Sequence, residues 1–295
     1  MKHFENNTIL SLKDLQQIKI FEKKELFALI GNPVSKSISH ITHNEVFSSL
    51  QFNGHFFRIH IEEDELSIAI SYLHQKGFKG LCVTMPFKEK VLPYLINQSD
   101  IGSVNTLISQ KEGFYGENTD ALAIEKILSP FFCKSPYISL IGAGGCAKAA
   151  AYIFNKYKIP FTVYNRTVEK GATLSKNYGS LEDFRSPQKG LHIVINTTSV
   201  GMDPLNNNSP IDTSKFSPST VVFETIYQPL KTKLIVDAQA KGLPVILGIE
   251  MFIAQAIFQF GYFLPISFEE TKISNIMRNS LKGSVYDANF SFFPK

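Results

Sequence analysis

Residues 137 to 157 read YISLIGAGGCAKAAAYIFNKY, and this stretch decides the fold. Tyr137 to Ile141 is a short apolar run of strand character. Four glycine-turn residues follow, and then an alanine-rich run that reads as a helix. Gly142-x-Gly144-x-x-Ala147 therefore closes a strand and opens a helix, and Ala143, Gly145 and Cys146 complete the turn. In such a motif the first glycine permits the tight turn. The second lets a pyrophosphate approach the backbone, and a small third residue lets helix and strand pack closely. The helix N-terminus then offers unpaired N–H groups and a positive dipole end to phosphate. A glycine-rich turn alone also fits a βα connection with no ligand. What favours dinucleotide binding is the continuation: FTVYNRT, HIVINTTSVGM and STVVFETIY are further strands, followed by the helix KTKLIVDAQAKG and the strand LPVILG.

The end of the strand after the glycine turn separates the two nicotinamide dinucleotides. An NAD site carries Asp or Glu there to bind the ribose 2′-hydroxyl. This chain has Asn165 and Arg166 instead, with Thr167 and Lys170 behind them. Arg166 and Lys170 can pair with a 2′-phosphate, and Arg166 can stack on adenine. The reading is an NADP site.

Upstream, strand and helix also alternate. LFALIGNPV is a strand ending in a Gly-Asn-Pro turn, a helix follows from about Ser39, and GHFFRIHI is a strand. EDELSIAISYLHQKG is a helix with Gly77 past its end, and GLCVT is the next strand. Alternation of this kind predicts parallel α/β layers. Residues 1 to 24 are polar, with a weak helical pattern, and read as a leader or linker. The tail from about residue 283 has no clear period. LPVILGIEMFIAQAIFQFGYFLPI, from Leu243 to Ile266, resembles a membrane span, but Glu250, Gln255 and Gln259 interrupt it. A span needs about 20 nearly uncharged apolar residues. The stretch reads instead as a strand end, a turn at Gly248, and a mostly buried helix with Gln255 and Gln259 on one face.

The chain has 295 residues, 44% of them apolar and 19% charged, with a net charge of +4. That is enough for one large or two medium domains with a real core. The mild, scattered basic excess suits an anionic small molecule or nucleotide rather than nucleic acid. The three cysteines, Cys82, Cys133 and Cys146, are widely spaced without a CxxC pair, and the N-terminus has no apolar signal core. A disulfide framework or zinc site is not expected, and a cytoplasmic location is. His40 and His43 are three apart, but with no evident third ligand they make no metal site.

Lys88 follows the strand GLCVT and Pro86, a residue suited to the first position of a helix. A cation is disfavoured in a first helical turn, where the dipole is positive. Most lysines so placed are simply solvated. Here the strand aims the segment at the C-terminal edge of a sheet, where α/β proteins hold their ligands. A partly desolvated lysine near a helix N-terminus has a lowered pKa and suits acid–base work. Ser37 and Ser39, just past the Gly-Asn-Pro turn, can both donate to one carboxylate. Asn105 and Asp120 lie in polar turns, where such residues often serve local hydrogen bonds.

GNPVSKSISH, VTMPFK, VNTL, ENTDA, GAGGCAKA, NRTVEK, NTTSVGM, IYQPLKTKL and GIEMFIAQA occur in this order across residues 31 to 257. Together they resemble shikimate dehydrogenase, and most of all the dehydrogenase half of bifunctional dehydroquinate dehydratase–shikimate dehydrogenases. The resemblance implies reversible, NADPH-dependent reduction of 3-dehydroshikimate to shikimate in aromatic amino-acid biosynthesis. It implies that Lys88 is the catalytic lysine and Asp120 its partner. It assigns Ser37, Ser39, Thr84, Asn105, Asp120, Tyr227 and Gln255 to the substrate. Gly142 through Ala147, Asn165 to Lys170, Thr225 and Gly248 fall to the cofactor. Departures from the family are Lys36 for His, His40 for Pro, Cys82 for Asn, Ala121 for Gly and Glu224 for Asp; they bear on affinity more than on chemistry.

The expected architecture is a two-domain α/β chain. Residues 25 to 120, completed by 249 to 282, bind substrate. Residues 121 to 248 form a Rossmann-like NADP domain, and the site lies in the cleft between the domains. Expected partners are shikimate or 3-dehydroshikimate, with no nucleic acid and no membrane. A dehydroquinate dehydratase, associated or once fused, and a monomeric or homodimeric state complete the reading. The alternatives are an NAD-dependent quinate/shikimate dehydrogenase and a non-catalytic shikimate-binding paralogue.

Overall fold

The structure is a computed structural model, and it describes residues 8–17, 24–187 and 189–281. The chain divides into two compact units. One is built from the described residues up to Thr119 together with those from Ala256 onward, and the other runs Asp120–Gln255.

The first unit opens with β1 (Ile9–Leu10) and α1 (Leu12–Gln17), then β2 (Glu25–Gly31), α2 (Ser39–Ser49), β3 (Gly54–His60), α3 (Leu66–Gln75) and β4 (Phe78–Val83). The short α4 (Phe87–Lys90), β5 (Asn97–Gln98), β6 (Thr106–Ser109) and β7 (Phe114–Glu117) follow. Their sheet has the order β1-β3-β2-β4-β6-β7-β5. β1, β3, β2 and β4 run parallel, as the strand–helix alternation predicts, while β6 is antiparallel to both β4 and β7. The β6–β7 hairpin turns at Lys111 to Gly113, and Gly113 takes φ +157° there.

Residues 9 to 17 differ from the expected leader. Ile9 and Leu10 pair with Arg58 and Ile59 at the sheet edge. Leu10, Leu12 and Leu15 are buried in the main apolar cluster with Leu26, Ile59 and Leu73. Each such leucine stabilises by about 1.5–3 kcal/mol. The polar residues of this stretch hid three apolar ones at core spacing. Residues 18 to 23 of the expected leader, and the expected tail 283–295, lie outside the described residues.

The second unit follows α5 (Thr119–Phe132) with β8 (Tyr137–Ile141), α6 (Gly145–Lys156), β9 (Phe161–Tyr164), α7 (Val168–Ala172), β10 (Tyr178–Gly179) and β11 (His192–Asn196). Then come β12 (Thr220–Glu224), α8 (Lys233–Ala240), β13 (Val245–Ile246) and α9 (Gly248–Phe263), whose end returns to the first unit, where α10 (Glu270–Ser280) also belongs. The unit divisions fall at the starts or inside of helices: after Thr119, which opens α5, and after Gln255 in α9. α10 packs on α2 in the first unit.

The second sheet is parallel throughout, with the order β10-β9-β8-β11-β12-β13. Counted within the unit this is strand order 3-2-1-4-5-6, the doubly wound arrangement in which dinucleotides bind where the order reverses. Here the reversal lies between β8 and β11. β9, β11 and β12 are buried along their length, as in parallel sheets covered on both faces, while the edge strand β10 is exposed at Tyr178. α9 was the apparent membrane stretch. Among the described residues no helix is long and apolar enough to cross a membrane.

Candidate active site

In the first unit the candidate residues gather at one sheet edge. Ser37 and Ser39 follow β2, Thr84 and Lys88 follow its neighbour β4, and Asn105 immediately precedes β6. Because β6 runs antiparallel, its start lies beside the end of β4, and Val83 N donates to the Asn105 carbonyl at 2.8 Å.

The serine loop is fully organised. Ser37 Oγ donates to Ser39 Oγ at 3.1 Å and accepts from Ser39 N at 3.2 Å. The Ser39 carbonyl accepts from His43 Nδ1 at 2.8 Å and from Thr42 Oγ1 at 3.1 Å. His43 also packs between Phe56 and Phe260, with ring centroids 4.3 and 4.7 Å away. It is a packing residue, and among the described residues no cluster of His, Cys, Asp and Glu could hold a metal. Burial is the main cause holding both His40 and His43 down at a pKa of about 4, and Arg58 adds to this for His40.

Thr84 and Lys88 sit on a tight connection. Gly31 of β2 lies so close to it that a Cβ there would meet Thr84 Cγ2 at 2.3 Å. Pro86 caps α4 rather than occupying its first turn, and the Met85–Pro86 peptide is cis. Phe87 is wholly buried and pins the turn, while Lys88 is half-buried. The Lys88 carbonyl accepts from Val104 N at 2.8 Å, which ties the lysine's backbone to the loop residue just before Asn105.

Asn105 Oδ1 accepts from Thr119 N at 2.8 Å, Thr106 Oγ1 at 2.9 Å and Thr119 Oγ1 at 3.1 Å. It thus satisfies the first N–H of α5, the helix whose second residue is Asp120. Asp120 itself is buried and belongs to the second unit. Gln259 Nε2 donates to Thr106 Oγ1 at 3.1 Å, so of the two glutamines expected on one face of the late helix Gln259 faces β6. Gln255, half-buried, donates to the Phe252 carbonyl of its own helix at 2.8 Å.

In the second unit the candidate residues likewise follow the parallel strands at their C-terminal ends. Gly142 takes φ +110°, which favours glycine, and a Cβ there would meet Thr197 Oγ1 at 2.7 Å. The glycine turn thus lies hard against the loop after β11, at the reversal of strand order. Gly144, the N-cap of α6, has nothing within 4 Å of a Cβ position. Ala147 is wholly buried, as the close helix–strand packing requires. Asn165, at the end of β9, donates through Nδ2 to the Thr167 carbonyl at 2.8 Å. Arg166, Thr167 and Lys170 are exposed beside it. Open backbone at Gly144, a helix N-terminus and exposed Arg166 and Lys170 fit a dinucleotide with a 2′-phosphate.

The loop after β12 carries Thr225 and Tyr227. Thr225 Oγ1 donates to the Asn196 carbonyl at 2.8 Å, and the Tyr227 ring packs on Phe252 at 4.6 Å. The loop is set from below by Glu224, which sequence reading noted only as a departure. Glu224 accepts from Asn196 Nδ2 at 3.0 Å, Ile226 N at 3.0 Å and Thr232 Oγ1 at 2.8 Å. Burial pushes its carboxyl up to about 7, against the lowering effect of those bonds. Gly248 fits under the same loop, since a Cβ would meet the Ile226 carbonyl oxygen at 2.1 Å. A surface depression of about 620 Å³ elsewhere in the unit is lined by residues such as Leu181, Ile211 and Lys233, and no candidate residue lines it.

The fold and these two residue sets define a two-sheet α/β oxidoreductase type with a Rossmann-like nucleotide sheet. The shikimate dehydrogenase substrate binding domain family matches residues 29–107. The chain is 34% identical over 277 residues to the NADP(+) shikimate dehydrogenase of Bacillus licheniformis, covering 88% of this chain and 99% of the relative. It resembles the crystal structure of a shikimate dehydrogenase in complex with NADP+, with TM-score 0.79, 28% identity, and coverage of 87% of this chain and 96% of that one. It also resembles the Thermus thermophilus enzyme in complex with NADP(H) and shikimate, with TM-score 0.77, 26% identity, and coverage of 87% and 100%. The chain belongs to the shikimate dehydrogenase family.

Proposed function

We propose that this chain interconverts shikimate and 3-dehydroshikimate, with NADP as the redox partner. The observation that carries the reading is the convergence of Ser37, Ser39, Thr84, Lys88 and Asn105 on one edge of the first unit's sheet. The serine hydroxyls suit the substrate carboxylate, and Thr84, Asn105, Tyr227 and Gln255 suit its hydroxyls and ring. Gly142 through Ala147 receive the cofactor's pyrophosphate. Asn165, Arg166, Thr167 and Lys170 receive its 2′-phosphate and adenine, and Thr225 and Gly248 serve the nicotinamide side.

When bound, NADP supplies the hydride acceptor or donor. Lys88 manages the proton. As the ketone is reduced, charge develops on its oxygen, and an ammonium within hydrogen-bond reach donates a proton and stabilises that charge. In the oxidative direction the neutral amine takes the hydroxyl proton. Asp120 orients the lysine and accepts from a ring hydroxyl. The first unit, completed by the end of α9, is the substrate side, and the second is the NADP side. A cytoplasmic location rests on the three cysteines, all free thiols. Association with a dehydroquinate dehydratase rests only on the wording of the motifs.

The test is nicotinamide absorbance on mixing the purified chain with shikimate, with NADP⁺ and NAD⁺ side by side, quinate as a second substrate, and Lys88→Ala as control. The expected result is NADP⁺ reduction by shikimate, reduced roughly 10²- to 10⁴-fold in kcat by Lys88→Ala in a folded protein. Near-normal turnover of that variant would remove Lys88 from the chemistry. Binding of shikimate without turnover would mean a ligand-binding protein.

A further inference from the structure

In the strand GHFFRIHI, Arg58 occupies a central position among apolar residues, and it is only 5% exposed. A guanidinium taken out of water costs several kcal/mol unless its donors are matched. Its Nη1 donates to the Ser35 carbonyl at 3.0 Å and to the Ser37 carbonyl at 3.5 Å. Both carbonyls belong to the loop that carries Ser37 and Ser39. The N–H of a trans peptide points opposite to its carbonyl. Fastening these two carbonyls to the guanidinium therefore turns the N–H groups of Lys36 and Ile38 away from Arg58.

The rest of the surroundings keep this arrangement rigid. Asn44 of α2 brackets β3 two residues before Arg58, donating to the Phe56 carbonyl and accepting from Phe56 N, both at 2.9 Å. On either side β3 is paired, with Leu29 of β2 and Ile9 of β1 opposite Arg58. His40, next to the loop, is neutral at pH 7 because burial, and secondarily Arg58 itself, hold its pKa at about 4. Burial lowers the Arg58 pKa, but a guanidinium keeps its proton throughout the working range. A fixed positive charge is thus fastened to the loop that carries the two serine hydroxyls, at a buried position where it is weakly screened.

We infer that Arg58 is the specificity-determining residue that makes the serine loop select a carboxylate over a neutral group of the same shape. It acts through the loop rather than by touching the substrate. The inference rests on the assignment of Ser37 and Ser39 to the substrate carboxylate. Arg58 supplies the charge, the serines supply the hydrogen bonds, and the loop carbonyls connect the two.

The experiment compares binding of shikimate and of its carboxamide by calorimetry, in the wild-type chain and in Arg58→Gln and Arg58→Lys, with thermal midpoints to verify folding. Gln keeps a donor for the loop carbonyls but no charge, and Lys keeps the charge but loses the fork. The wild type should prefer the acid, and Arg58→Gln should reduce the acid-to-amide affinity ratio about tenfold or more. Arg58→Lys should keep that ratio within about threefold while weakening both ligands. An unchanged ratio in Arg58→Gln, or an equal loss for acid and amide, would overturn the inference, and so would a wild type with no preference for the acid. If Arg58→Gln does not fold, loss of the ratio in Arg58→Lys overturns it. Turnover measured in parallel reports separately on the proposed reaction, because the ratio is read without catalysis.

Discussion

In the first unit the candidate residues are sunk into the fold: Ser37, Ser39 and Asn105 are 9, 7 and 3% exposed, each wired to backbone or neighbouring hydroxyls. In the second unit Arg166, Thr167 and Lys170 stand in solvent, and Gly144 faces open space. Under the proposed assignments, the contrast matches what each ligand needs. A small polyhydroxylated acid is distinguished by hydrogen bonds that must be in place beforehand, since a buried group left unpaired is costly. A large dinucleotide is held mainly by backbone N–H groups and by charges that can meet a phosphate from water. The units also differ in their buried titratable groups. The first holds the buried His40 and His43 and the half-buried His55, all neutral at pH 7, and the second holds the buried His192 and, at the other end of its sheet, Glu224 with a raised carboxyl pKa.

That difference is broken or sharpened most strongly by pH. His40, His43 and His55 in the first unit are held at about 4, mainly by burial, as is His192 in the second. A depressed folded pKa means stability that is present above the unfolded value of 6.5 and lost as pH falls through about 4. For the wholly buried His43 the full shift is roughly 3.5 kcal/mol at about 1.4 kcal/mol per pKa unit, and the half-buried His55 contributes less because solvent screens it. Acidification from pH 7 to 4.5 should therefore cost several kcal/mol, most of it in the first unit. Hydrogen exchange should show the first unit opening before the second, and simultaneous opening would contradict the assignment.

Glu224 works in the other direction. Its folded pKa is raised, so its contribution is fully present below the unfolded value of 4.5 and lost as pH rises through about 7. Glu224→Gln should flatten the fall in stability between about pH 4.5 and 7, by up to roughly 3 kcal/mol. An unaltered slope would mean the carboxyl is ionised throughout. On the ligand side, Ser37→Ala with Ser39→Ala should raise the KM for shikimate roughly a hundredfold, as two hydrogen bonds to a charged group suggest. The KM for NADP⁺ should hardly move. The smallest effect is expected for Arg166→Ala with Lys170→Ala. Loss of exposed phosphate contacts should raise the KM for NADP⁺ by about tenfold at low salt, less at high salt, and leave NAD⁺ nearly untouched.

The second unit was largely legible in the chain because its signals are local. The strand–glycine–helix run from Tyr137 coincides with β8 and α6, and Arg166 stands at the end of β9 as expected. The helix read from KTKLIVDAQAKG is α8, with the Thr232 side chain capping it at Ile235 N. The first unit hid more. VNTL and ENTDA read as turns beside apolar runs, yet TLIS and FYGE form an antiparallel hairpin, because strands of four residues leave too little period to read. Arg58 passed as part of an apolar strand, although a lone guanidinium among phenylalanines was the signal available. Glu224 was noticed only as a departure, since its clamp joins Asn196 and Thr232, residues that no spacing rule connects.

In both sheets every candidate group of the strand-end loops lies past the C-terminal ends of the parallel strands or at the matching end of β6. The opposite ends hold other things: the buried His192 with Ser139 and Ser186, and the exposed turns at Lys158 and Gly242. Apart from Arg58 within β3, the proposed ligand groups and the strand cores thus occupy separate stretches of one chain. Under the proposed assignments, drift in the loops after β2, β4 and β9 can retune acid, hydroxyl or phosphate preference without altering a strand. Insertions at the opposite turns can lengthen the protein without reaching the ligands. A lineage built this way can change what it oxidises while keeping how it folds.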